Sequence, residues 1–232
     1  MKNFFSLHSL TFGFDSKKPY FFQDLSCEIT ESGIIFLLGK NGAGKSTFFR
    51  LLQGITNRSE FISGKLEIQD KEYDLAKPAD RNKLHERSMI LHQNFDLMLA
   101  PNFTGYQNLA YSLFDVNPGF DAASVSHDVS DVVQSFSIPL EKPVRFLSGG
   151  QRQMLAMLMV TQKPLDILLL DEPTAALDSK NSDYLMQGIE NLAKEKNIVI
   201  VCITHDQEII EKYAKNIIEI SVEESKRKII KK

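Results

Sequence analysis

Gly39-Lys40-Asn41-Gly42-Ala43-Gly44-Lys45-Ser46 fits the spacing G-x-x-x-x-G-K-[ST]. The chemistry open to that spacing is phosphate binding. Its glycines let backbone N–H groups curl around phosphate oxygens, and a helix starting behind them adds partial positive charge. Lys45 would reach β- and γ-phosphates, Ser46 would give an oxygen to Mg²⁺, and Thr47 would donate to an α-phosphate. A second glycine-rich stretch, LSGGQRQ at 147–153, lies far along the chain. Ser148 with the N–H groups of Gly149 and Gly150 would make another anion site ahead of a helix. Alone, the same stretch also reads as a serine-capped helix after a glycine turn. Beyond both, DILLLDEP at 166–173 ends an apolar run in adjacent carboxylates. Asp171 fits a Mg²⁺ partner acting through water, and Glu172 a general base that polarises an attacking water.

These groups need elements that bring them together. IIFLL (34–38), ILLL (167–170) and IVIVCI (198–203) are apolar on both faces, the pattern of strands buried in a parallel sheet. Each ends in functional residues: the glycine loop, the acidic pair, and THD. Ligands of open α/β sheets bind beyond the carboxyl ends of strands, so three such ends point to one site. SLHSLTFGF (6–14) and FFQDLSCEI (21–29) partly alternate and predict a small antiparallel sheet, to which SGKLEIQDKEY (63–73) adds a strand pair. Residues 102–114 and 122–136 read as helices, broken by NPG at 117–119 and by Pro139 and Pro143. QRQMLAMLMV (151–160) is apolar nearly all round and predicts a buried helix.

Composition narrows the classes. With 232 residues and 43% hydrophobic content, the chain can bury a sizeable core. A net charge of −3 gives no electrostatic reason to expect nucleic acid. The basic run KRKIIKK (226–232) reads as a solvated terminus, with proximity to a membrane as the second reading. Cys27 and Cys202 are not a disulfide framework and read as reduced thiols of a cytosolic protein. No apolar run approaches the roughly 20 residues that span a bilayer.

In order, the chain carries GKNGAGKST, Gln93 in ILHQNFDLM, LSGGQRQ, ILLLDEP, ALD at 176–178, and His205 in ITHD. This series resembles the ATP-binding subunits of ABC transporters. The resemblance implies an α/β fold: a P-loop NTPase core with a parallel sheet, a small N-terminal antiparallel β subdomain and an inserted α-helical subdomain. It implies one ABC ATPase domain over 1–232, with 1–92 and 161–232 as core plus β subdomain and 93–160 as the helical subdomain. Two nucleotide-binding subunits of such proteins pack head to tail, in the working state as a homodimer. Ser148, Gly149, Gly150 and Gln151 would then serve the partner's ATP. Gln93 resembles the glutamine that touches Mg²⁺ or the attacking water, His205 the histidine that contacts the γ-phosphate, and Asp178 the aspartate that couples the two sites. Phe14 matches the aromatic on which adenine stacks, with Tyr20 as competitor.

The expected cofactors are ATP and Mg²⁺. The expected partners are an integral membrane permease subunit and, for an importer, a substrate-binding protein. That places the chain at the cytoplasmic face of the inner (plasma) membrane. Phe95, Leu97, Met98, Leu99, Phe103 and Tyr106 would form a groove for the permease or pack the insertion's own core. The alternative function is a soluble ABC ATPase acting in cluster assembly or another non-transport role. Two departures stand out: the helix after LSGGQRQ, the signature of such proteins, lacks an arginine near its middle, and the last segment lacks the glycine turn of many relatives.

Overall fold

The computed structural model describes residues 4–17, 19–113, 133–134, 137–161, 164–175, 177–223 and 226–231. In chain order its elements begin with β1 (Phe5–Gly13), β2 (Phe22–Ile29), β3 (Ile34–Leu38), α1 (Lys45–Leu52), β4 (Phe61–Ile68) and β5 (Lys71–Asp74). There follow α2 (Pro78–Glu86), β6 (Ser88–Leu91), α3 (Gly105–Leu113), α4 (Gly149–Thr161) and β7 (Ile167–Asp171). The chain continues through α5 (Ser179–Glu195), β8 (Val199–Ile203), α6 (Gln207–Tyr213), β9 (Asn216–Glu223) and β10 (Lys226–Lys231). The helix expected over 122–136 and the NPG break at 117–119 lie outside the described residues, apart from 133–134.

The three apolar runs form the middle of a six-stranded sheet of order β10-β9-β3-β8-β7-β6. Strands β9, β3, β8, β7 and β6 run parallel. Side chains of a strand alternate between faces. Ile34, Phe36, Leu168, Leu170, Ile200 and Cys202 therefore join one apolar cluster, which includes α4 and α5. Ile35, Leu37, Ile167, Leu169, Val199 and Val201 join the other, with α1 and the antiparallel sheet β2-β1-β4-β5. Burial on both faces explains why these runs carry no polar positions.

The run 226–232, read as a solvated terminus, is a paired strand over 226–231, in which Lys226, Lys228, Ile230 and Lys231 stay exposed. Residues Lys226–Lys231 pair antiparallel with β9, from Lys226 opposite Glu223 to Lys231 opposite Ile218. The alternation is Lys226 and Lys228 out, Arg227 and Ile229 in. An arginine with its apolar stem on the inner face hides this period in the sequence. Lysines on an outer strand also discourage edge-to-edge pairing with other chains. Both cysteines are free and buried, and burial pushes the Cys27 thiol up to about 12.

Asp166 ties the two sheets together just before β7. It is 6% exposed and accepts from Tyr73 Oη (2.6 Å), Lys71 Nζ (2.7 Å) and Arg87 Nη2 (2.9 Å). Lys71 and Tyr73 belong to β5 of the antiparallel sheet, and Arg87 precedes β6. Burial pushes the Asp166 carboxyl up, but hydrogen bonds from Arg87, Lys71 and Tyr73 outweigh it and hold the group below the usual carboxylate range. A carboxyl lowered on folding stabilises above its unfolded value, and that contribution is lost as pH falls through about 4 and below. Asp166→Asn leaves the buried Tyr73 hydroxyl and its neighbours facing an amide. It should cost about 1–3 kcal/mol at neutral pH in urea unfolding. The gap to the native protein should narrow as the pH is lowered from about 5 to 3. Equal stability at neutral pH would remove Asp166 as the tie.

Candidate nucleotide site

Parallel strands ending together place four chain segments at one edge. β3 leads into the glycine loop, β7 ends at Asp171, β8 leads to Thr204 and His205, and β6 leads to Gln93. They enclose a cavity of about 730 Å³. From the glycine loop and α1 it takes Asn41, Gly42, Gly44, Lys45, Ser46 and Thr47. From the other strand ends it takes Gln93, Asp171, Glu172, Ile203 and His205, and from the antiparallel sheet Phe14 and Phe21.

The glycine loop is held open by its backbone. Gly44 has φ 109° and caps α1 without a side-chain bond. A Cβ there would meet Phe21 at 2.8 Å, so both conformation and space demand glycine. The first helical N–H returned to the loop is that of Phe48, to Gly44 O at 2.8 Å. The N–H groups of Lys45, Ser46 and Thr47 thus belong to the first turn, which has no intrahelical acceptors and suits an anion. Lys45 Nζ folds back onto Gly39 O at 2.6 Å. Gly39, Lys40 and Ala43 shape this loop without lining the cavity.

Glu172 is strained and pinned. Its φ is 53°, a left-handed conformation that a non-glycine residue ahead of proline avoids. Its N–H donates to Ile203 O at 2.9 Å, and Gln153 Nε2, from α4, donates to the neighbouring Pro173 carbonyl. Glu172 Oε2 accepts from Thr204 Oγ1 (3.2 Å) and from His205 N (3.3 Å). Oε1 is buried and has no hydrogen-bond partner among the described residues. His205 Nε2 lies 3.6 Å from it, on a ring that is mostly exposed.

Two aromatics competed for the role of base platform. Tyr20 is stacked on Phe61 at 4.9 Å, whereas Phe14 is 54% exposed at the cavity wall. Phe14 meets Phe12 and Phe21 edge-on and leaves area uncovered. Ser148, Gly149, Gly150, Gln151 and Asp178 do not line the cavity. Ser148 and Gln151 form a reciprocal cap at the start of α4, with Gln151 N to Ser148 Oγ at 3.3 Å and Ser148 N to Gln151 Oε1 at 3.0 Å. Asp178 caps α5, accepting from Asn181 N at 2.9 Å. Phe21, Ile203 and Arg227 were not singled out in the sequence. No local signal separates Phe21 from Phe22, since both abut the loop: a Cβ on Gly44 would meet Phe21 at 2.8 Å and Phe22 at 2.9 Å.

A glycine loop opening a helix, paired carboxylates and a histidine, at the carboxyl edge of a parallel sheet, define a nucleotide-binding cassette of the P-loop class. The chain belongs to the ABC transporter family, whose sequence model matches residues 22–175. It is 29% identical over 212 residues to the methionine import ATP-binding protein MetN 1 of Acinetobacter baylyi, a match covering 90% of this chain and 58% of that relative's length. It is 31% identical over 208 residues to the energy-coupling factor transporter ATP-binding protein EcfA of Syntrophomonas wolfei, covering 88% of this chain and 72% of the relative. Its fold matches cbiO1 of Clostridium perfringens, part of the ABC transporter complex cbiONQ, with a TM-score of 0.76 and 27% identity over 99% of this chain and 88% of that one. It also matches the dimeric structure of MJ0796, a bacterial ABC transporter cassette, with a TM-score of 0.70 and 21% identity over 94% of each chain. The cassette is thus an ATP-binding ATPase of the ABC type.

Phe14→Ala should weaken binding of a fluorescent ATP analogue about tenfold, the order of one lost base–aromatic stack. Tyr20→Ala should change it far less. The reverse ranking would move the base platform to Tyr20.

Proposed function

We propose that the chain is the ATP-hydrolysing motor subunit of an ABC importer, working through partner transmembrane subunits at the cytoplasmic face of the inner membrane. Glu172 Oε1 carries this reading: a buried carboxylate oxygen without a partner, in the cavity that holds Lys45 and Ser46. A buried acceptor is costly unless it meets a donor. A water beside the γ-phosphate would be that donor, and accepting its proton is general-base catalysis. Thr204 Oγ1 and His205 N fix the other carboxylate oxygen, so Oε1 keeps its direction. The His205 ring sits where it can bridge Glu172 and the phosphate. Lys45 leaves Gly39 O and follows the β- and γ-phosphates. Ser46, Gln93 and Asp171 offer hydroxyl, amide and carboxylate oxygens, a hard donor set suited to Mg²⁺. When bound, that ion neutralises phosphate charge.

Ser148, Gly149, Gly150 and Gln151 stand away from this cavity, which supports their acting on the ATP of a second subunit in a head-to-tail homodimer. Asp178, exposed beside them in the chain's return to α5, would lie at the same interface. Near Gln93 the expected apolar set divides. Phe95 and Leu99 are buried, while Leu97 is 81%, Phe103 47% and Tyr106 38% exposed. The exposed members form the docking surface for the permease. The import reading rests on the names of relatives such as the A. baylyi protein and brings a substrate-binding protein as a further partner. No helix of the described residues is long and apolar enough to cross a membrane.

Glu172→Gln should bind ATP as the native protein does and lose about 100-fold or more in kcat, the order of one general base. Near-native turnover would remove Glu172 from that role. Ser148→Arg should abolish turnover and ATP-dependent dimerisation in gel filtration while monomer ATP affinity stays unchanged. A collapse of monomer affinity would mean that the signature loop serves its own chain's nucleotide.

A further inference from the structure

The strand formed by the basic run brings a guanidinium against the glycine loop. Arg227 Nε donates to Ala43 O at 3.0 Å, with Nη2 3.5 Å from Gly42 O and Nη1 3.5 Å from Phe21 O. Its Cζ lies 3.6 Å from the centre of the Phe21 ring, a cation–π contact that fixes the plane of the guanidinium. No carboxylate pairs with it among the described residues. Strand pairing with β9 sets its height, and β9 itself walls the loop: a Cβ on Gly39 would lie 2.7 Å from Ile220 O.

The Ala43 carbonyl shares a planar trans peptide with the Gly44 N–H, so the two point in opposite directions. Holding the carbonyl from behind aims the N–H forward, and Gly44 lines the cavity. A charge-assisted bond to the carbonyl also polarises that N–H. We infer that Arg227 is a positioning residue for nucleotide phosphates: from the last strand it clamps the Gly42–Ala43 carbonyls and orients the Gly44 N–H toward the anion. The inference rests on the P-loop holding the nucleotide phosphates, as proposed above. It makes the closing hairpin β9–β10 part of the ATP site, since the clamp exists only while β10 is paired.

Full-length Arg227→Met and Arg227→Lys proteins test this against native protein and Lys228→Met, an exposed neighbour on the same strand. Dissociation constants are measured for ADP and for adenosine, which lacks phosphate, alongside urea unfolding of each ligand-free protein. Arg227→Met should weaken ADP about tenfold or more, the order of a lost charge-assisted bond, and leave adenosine unchanged. Arg227→Lys, with charge but without the planar fork, should fall between, and Lys228→Met should match native. Unchanged ADP affinity in Arg227→Met overturns the clamp. So does equal weakening of ADP and adenosine, which would mean general loosening. If Arg227→Met does not fold, Arg227→Lys decides by the same comparison. A native protein that binds no ADP would instead overturn the nucleotide reading itself.

Discussion

Ile34 pairs with Ile200, and Ile167 with Val199, in a sheet that has apolar layers on both faces. Water is excluded from both faces, so side chains within the strands cannot be polar without losing their hydrogen bonds. Chemistry is left to the strand ends, and parallel pairing puts those ends on one edge. The glycine loop, the acidic pair, His205 and Gln93 converge for this one reason. A slip of two residues in any pairing would preserve the apolar layers and still move its functional end by about 7 Å. Register is therefore what the site depends on most.

At that edge the backbone takes positive φ where the chemistry is. Gly44 at φ 109° and Glu172 at φ 53° face one cavity from opposite strands. Each persists because neighbours hold it: Phe21 and Arg227 around the loop, and Ile203, Thr204 and Gln153 around the carboxylate. Lys45 meanwhile rests on Gly39 O, a contact that a phosphate can outcompete with full charge.

The signature helix is joined to this edge through packing. Gly150 abuts Leu177, Arg152 Nε bonds Asp96 Oδ1 at 2.8 Å just past Gln93, and Gln153 reaches Pro173. Movement of this helix would thus be felt beside both Gln93 and Glu172. Leu109, Leu140 and Leu155 belong to the same apolar cluster as Leu168 and Leu170 of the central sheet.

Local composition by itself determined the glycine loop, the carboxylate pair and the three central strands, because phosphate binding and two-sided burial each demand particular residues at fixed short spacing. It was silent where the decision was made by contacts distant in sequence. Whether 226–231 is a tail or a strand depends on β9 offering a paired edge, and whether Arg227 is solvated depends on Phe21, more than 200 residues earlier. Phe14 and Tyr20 are equivalent in type and differ only because Phe61 covers one of them. The tertiary structure decided these cases, since burial and hydrogen-bond partners belong to residues that meet in space, and no local window of the chain contains both.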